Sequence, residues 1–355
     1  MYYYEYVEHD WIYYIAAFAV AFGVALFLTP LVKKLAFRLG AVAKPRARDL
    51  HNTTMPRLGG LAIFLGFMVS MGLLMFFMEE LRTLQFAGFV TGAVLIAGMG
   101  MLDDIFDIKP IFKLLVQISV ALIVVFTGTS IDFIGWDMPA IFESLSIPIT
   151  VIWIVFIINA VNLIDGVDGL AAGVSSIAAV FLVILCIMTG SPLAVVFAAA
   201  LAGASLGFLP RNFKPAEIFM GDIGSTFIGY VLAVSSIIGV YKSYALLSVA
   251  IVGFALILPI MDTVYVFASR ILKGKNPLKA DRGHLHHKLI DRGYSHKTTV
   301  VILYAVSIFA GTIAILIAME NIQALIIGGV LLFVLFSTIY VYRKRVKRNG
   351  GSDDK

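Results

Sequence analysis

The chain has 355 residues, 60% of them hydrophobic and 14% charged, with a formal charge of +5 at pH 7 and a mean hydropathy of +0.96. A soluble globular domain is about 45–50% apolar and about 25% charged, so a soluble fold is excluded and the expected class is an all-α polytopic membrane protein. No nucleic-acid partner is expected, and the single cysteine, Cys186, sits in an apolar run where it can make neither an internal disulfide nor a cysteine metal cluster.

In chain order, the N-terminal MYYYEYVEHDW is acidic and aromatic. It lacks the basic start of a cleaved signal peptide, so the first span is expected to be retained. A span takes about 20 apolar residues. Eleven candidates follow, at 11–31, 58–78, 85–102, 111–128, 147–162, 170–189, 192–209, 224–241, 245–268, 299–318 and 324–342. Gly88 with Gly92, and Gly203 with Gly207, fit close helix packing. The loops at 33–57, 103–113, 210–225 and 269–298, with the tail 343–355, hold 25 of the 27 Lys and Arg. Only Arg82 and Lys242 fall on the other side. By the positive-inside rule the basic set is cytoplasmic, the N-terminus outside and the C-terminus inside. We expect one integral membrane domain, 1–355, whose active site is built from loops 33–57, 103–113, 162–169, 210–225 and 269–298.

The unusual polar motifs all lie on that cytoplasmic side. The first loop, KPRARDLHNTTMPRLGG, is basic, which suits phosphate or anionic headgroups. Asp103 and Asp104 follow the third span. Adjacent carboxylates repel, so either one is held protonated or both face cations. Such a pair suits Mg²⁺ or general-base work, or a solvated acidic patch. The stretch Asn159 to Gly173, NAVNLIDGVDGLAAG, places Asn159, Asn162, Asp165 and Asp168 at the end of a lipid-soluble helix. Ionisable groups there are expensive, and function is the default reading over a joining loop.

In PRNFKPAEIFMGDIGSTFIG, Asp222 sits between Gly221 and Gly224, where backbone can approach a ligand closely. Ser225 and Thr226 are candidate caps of a helix whose N-terminus would attract phosphate. Asn212 lies ten residues earlier, and Phe219 offers a flat face for a base. The loop KADRGHLHHKLIDRG carries Arg282, His284, His286 and His287, suited to a pyrophosphate or to lipid headgroups. No P-loop and no dinucleotide fingerprint occurs. The span centres are uniformly apolar, whereas a transporter places polar groups near the midplane. Acidic groups for a divalent cation, basic groups for phosphates and a membrane face together call for phosphoryl transfer between a polar diphosphate and a lipid phosphate.

Asp103-Asp104, NAVNLIDGVDGLAAG, FMGDIGS and HLHH, in this order, resemble the polyprenyl-phosphate N-acetylhexosamine-1-phosphate transferases over nearly the whole chain. That resemblance implies transfer of a sugar 1-phosphate from a UDP-sugar to undecaprenyl phosphate with Mg²⁺ or Mn²⁺, releasing UMP, at a bacterial plasma membrane. HLHH in place of three consecutive histidines, with MPRLGG, looks more like the GlcNAc-1-phosphate branch that starts teichoic acid or O-antigen-type polymers. The muramoyl-pentapeptide branch is the alternative, and a lipid-linked-sugar transporter or a non-catalytic scaffold are the others. The resemblance implies Asp222 and Asn162 as metal ligands. It places Asp103, Asp104, His286 and His287 among the catalytic groups, and Phe219, Asp168 and Lys113 around the uridine. Asn159, Asp165, Asn212, Arg282 and His284 complete the substrate contacts, and a homodimer is compatible. Direct attack by the lipid phosphate and a covalent aspartyl intermediate both stay open.

Overall fold

The computed structural model describes residues 11–43, 54–131, 141–213, 215–239, 260, 289–291 and 293–319. The first described helix, α1, spans Trp11–Leu39, and two short strands follow, β1 (Val42–Ala43) and β2 (Met55–Pro56). Then come α2 (Gly60–Leu74), α3 (Leu84–Phe106), α4 (Pro110–Phe126), α5 (Ile141–Ile164) and α6 (Leu170–Met188). The last three are α7 (Pro192–Asn212), α8 (Gly221–Ile238) and α9 (His296–Ala318). Seven of these are long and apolar enough to cross a membrane. The other two, α2 and α4, have 15 and 17 residues. At about 1.5 Å per residue they fall short of a hydrocarbon core about 30 Å thick. With almost no strand among the described residues, the chain is an all-α polytopic membrane protein. The nine helices coincide with nine of the expected spans, and the other two, 245–268 and 324–342, lie outside the described residues.

Apolar on every side, α8 is buried from Ile223 to Ile237 and packs against α2, α3, α5 and α7. A helix that is hydrophobic all round belongs in the centre. Glycines set its closest crossings. A Cβ on Gly60 would overlap the backbone of Gly224, and one on Gly100 would overlap the backbone of Ile223. The Gly203–Gly207 pair of α7 likewise lies against the carbonyls of Phe18 and Phe22 on α1. In contrast, α1 and α4 expose Phe27, Leu31, Ile111 and Phe112, as lipid-facing helices do.

The return arm of the first loop is held by backbone. Val42 pairs with Pro56 and Ala43 with Met55. Arg57 N–H donates to Ala41 O at 3.0 Å, and on the other edge Phe219 N–H donates to Pro56 O at 2.8 Å. Gly59 N–H returns to Phe219 O at 2.9 Å, and Gly60 N–H reaches Met220 O at 2.7 Å. The PRLGG run is therefore a backbone splint under the segment that leads into Asp222.

Candidate active site

The C-terminus of α3 ends in a tight turn. Asp107, at φ 55°, closes the helix in the left-handed region, which an Asp tolerates better than most residues. Asp103 fixes that turn, its Oδ1 accepting from Ile108 N–H at 2.8 Å. Pro110 then starts α4, and one turn in, Lys113 reaches back. Its Nζ donates to Asp103 Oδ2 at 2.5 Å and to Asp222 Oδ2 at 2.7 Å. One ammonium thus joins carboxylates from α3 and α8.

Asp104 points to the other side of the turn. Its Oδ1 accepts from Asp222 N–H at 3.0 Å and its Oδ2 from Ile223 N–H at 3.1 Å. Arg57 Nε stands 3.8 Å from Oδ1. Each carboxylate of the pair therefore has a cation near it, Lys113 for Asp103 and Arg57 for Asp104. Asp222 itself lies in the first turn of α8, where the helix dipole favours anions. The preceding Gly221 has φ 75°, and a Cβ there would overlap the Arg57 carbonyl and the Asp104 carboxylate.

The expected start of α8 needs correction. The helix begins at Gly221, so Ser225 and Thr226 lie inside it and do not cap it. Ser225 Oγ donates to Gly221 O at 3.1 Å and Thr226 Oγ1 to Asp222 O at 2.6 Å. The N–H groups offered to phosphate at that terminus include two that Asp104 already holds.

Asn162 falls within the last turn of α5, and its Nδ2 donates to Ser225 Oγ at 2.8 Å, which places it beside Asp222. Asp165 follows in the turn between α5 and α6. Burial, then the fields of Asp222 and Asp104, push its carboxyl up to about 8. Asp168 Oδ2 accepts from Ala216 N–H at 3.4 Å, and the half-exposed Phe219 flanks the same loop. These residues, with Asp103, Asp104 and Lys113, gather at one end of the bundle.

Two expected substrate contacts have other bonds. Asn212 is buried, and its side chain accepts from Gly169 N–H at 3.1 Å and donates to Ile218 O at 3.0 Å. It staples the 165–169 turn to the 213–220 loop. Asn159 Nδ2 donates to Gln117 Oε1 and to Val155 O, both at 2.7 Å, and so ties α5 to α4. Arg282, His284, His286 and His287 lie outside the described residues.

Several contacts around this site are not legible in the sequence. Arg57 reads in sequence only as part of a basic loop, and its pairing with Asp104 is long-range. Gln117 lies one turn after Lys113 on a helix that reads as plain apolar. Tyr304, on α9, hydrogen-bonds Gly169 O and fills the notch left by Gly173. Lys33 at the end of α1 binds Glu217 at 3.0 Å, and that bond holds the Glu217 carboxyl below its ordinary range.

Among the described residues no three His, Cys, Asp or Glu form a ready-made cage. What the site offers is oxygen only: the Asp222 carboxylate, with part of its side chain exposed, and the neighbouring Asn162 amide. Mg²⁺ is usually held by one or two carboxylates, waters and substrate phosphates, and the residues fit that pattern.

The sequence model of glycosyl transferase family 4 matches residues 86–240, which include every carboxylate described above. A probable undecaprenyl-phosphate N-acetylglucosaminyl 1-phosphate transferase of Bacillus subtilis is 37% identical over 309 residues, covering 85% of this chain and 84% of that protein. The decaprenyl-phosphate N-acetylglucosaminephosphotransferase of Mycobacterium tuberculosis is 35% identical over 90% of this chain and 87% of its own. The undecaprenyl-phosphate alpha-N-acetylglucosaminyl 1-phosphate transferase of Haemophilus influenzae is 32% identical over 91% of this chain and 93% of its own.

Proposed function

The chain belongs to glycosyl transferase family 4, the polyprenyl-phosphate N-acetylhexosamine-1-phosphate transferases, and on that premise we propose that it transfers GlcNAc-1-phosphate from UDP-GlcNAc to undecaprenyl phosphate, releasing UMP. The observation that carries the reading is the meeting of α3 and α8 carboxylates on the Lys113 ammonium, at one end of the bundle. HLHH and the names of the relatives favour GlcNAc over the muramoyl-pentapeptide donor.

Asp222 and Asn162 would hold Mg²⁺, or Mn²⁺ in its place. Bound there, the ion supplies Lewis-acid stabilisation of charge on the departing phosphate. Arg57 and Lys113, two cations beside these carboxylates with exposed surface, hold phosphate oxygens and align the donor, which moves Lys113 from the expected uridine contact to the phosphates. An oxygen of the lipid phosphate attacks the sugar-side phosphorus. The bond from that phosphorus to the bridging oxygen breaks, and UMP leaves with that oxygen. Asp103, beside Lys113, takes the proton when the acceptor arrives protonated. Phe219 stacks on the uracil, and Asp168 accepts from it. Arg282, His284, His286 and His287 hold the pyrophosphate and sugar.

The reading extends to topology: eleven spans, of which α2 and α4 are shorter than the hydrocarbon core and cross it only with their flanking residues, the N-terminus outside, the C-terminus and the site facing the cytoplasm of a bacterial plasma membrane. The product would feed an envelope polymer such as a teichoic acid. Purified protein given UDP-GlcNAc, undecaprenyl phosphate and Mg²⁺ should release UMP and form lipid-linked GlcNAc phosphate in equal amounts. Faster turnover of UDP-MurNAc-pentapeptide would reverse the donor choice, and no UMP from either donor would refute the activity. UMP equal to the enzyme, released with no lipid present, would replace direct attack by a covalent intermediate.

A further inference from the structure

The geometry assigns Asp104 a different task from its neighbour Asp103: it is a positioning residue that holds the start of α8, and so Asp222, in place for the divalent cation. The inference rests on the reading of Asp222 as the metal ligand. Exposure separates Asp104 from the groups that face substrate. The Asp104 side chain has no exposed surface, whereas 18% of the Asp222 side chain and 23% of that of Lys113 are exposed. A group enclosed in this way touches neither donor nor acceptor. Its two oxygens each take one backbone N–H of α8, from Asp222 and Ile223. That is the work of a helix cap, performed by a carboxylate 118 residues away in sequence. Met220, the residue at the cap position, makes no side-chain cap bond.

The surroundings enforce the clamp. Gly221 lets the chain pass between Arg57 O and the Asp104 carboxylate at φ 75°, where a Cβ would strike both. Gly100, one turn before Asp104 on α3, lets Ile223 come into backbone contact. The PRLGG splint presses from the other side through Gly59 and Gly60. Three segments thus converge on the peptide that carries Asp222. The carboxylate is preferred to an amide there because each oxygen accepts, and an amide would oppose one N–H with its own.

Mn²⁺ binding to purified protein, read by electron paramagnetic resonance without any donor, tests the assignment. Asp104→Asn should weaken Mn²⁺ binding at least tenfold, and turnover should fall with it and recover in part at raised Mg²⁺. Asp104→Asn that binds Mn²⁺ as the parent does, yet fails to turn over at any Mg²⁺, would overturn the clamp and make Asp104 a chemical group. Gly221→Ala parts the same contact with every carboxylate kept, and should weaken Mn²⁺ binding likewise. Normal binding in that variant also overturns the assignment, including where Asp104→Asn yields only aggregate. Mn²⁺ binding by the parent is independent of the sugar nucleotide used, so a wrong donor leaves this result standing. A parent that binds no Mn²⁺ refutes the metal reading itself.

Discussion

Replacing Lys113 by Met keeps the length of the side chain and removes its charge. The ammonium lies 2.5 Å from Asp103 and 2.7 Å from Asp222, whose side chains are 4% and 18% exposed. Stripping one partner from a buried ion pair costs about 3–5 kcal/mol. Lys113 is itself 23% exposed, so the low end, about 3 kcal/mol, is the appropriate figure. The unfolding entropy is about 2.1 cal/mol/K per residue, or about 750 cal/mol/K for 355 residues, which turns about 3 kcal/mol into about 4 °C. Thermal unfolding of the metal-free protein in detergent should show that drop for Lys113→Met. Added Mg²⁺ should narrow the gap, since a cation between carboxylates compensates the same charge. A variant that melts within 1 °C of the parent without Mg²⁺, on the scale of ~1.3 °C per kcal/mol used above, would refute the claim that the ammonium binds the two helices together.

Gly100→Ala inserts a methyl group into the backbone contact with Ile223, and overpacking of that kind costs about 1–3 kcal/mol. It should lower the melting temperature and weaken Mg²⁺ binding, and an unchanged melt would show that α3 and α8 sit further apart. Asp165 has its folded pKa raised to about 8, so the fold prefers its neutral form. The stability this contributes is complete below the unfolded value of about 3.9, declines as pH rises, and is lost through about pH 8. Metal-free Asp165→Asn should therefore lose less stability than the parent between about pH 4 and 8, and parallel pH profiles would count against the assignment.

The sequence discloses the carboxylates because each is costly where it stands, and it discloses the spans because apolar runs are long. It misplaces the start of α8 because Gly221 and Gly224 read as loop residues, whereas in the fold they allow contact with Asp104 and Gly60 within a helix. Periodicity cannot show an Asn whose amide is bonded at both ends, so the bonds by which Asn212 joins two loops are not legible in the chain. The same limit merges Asp103 with Asp104. Side by side in the chain, they look equivalent, yet a helix turns about 100° between them. That rotation points one toward Lys113 at the rim and the other at the backbone of α8. Exposure then rises outward, from Asp104 at 0% and Asp103 at 4% to Asp222 at 18%, Lys113 at 23% and Arg57 at 37%. In the proposed reading, a phosphate arriving from the membrane surface meets the two cations first and Asp222, the proposed ligand, next. The innermost carboxylate it never meets, and the stiffness of the others depends on that one.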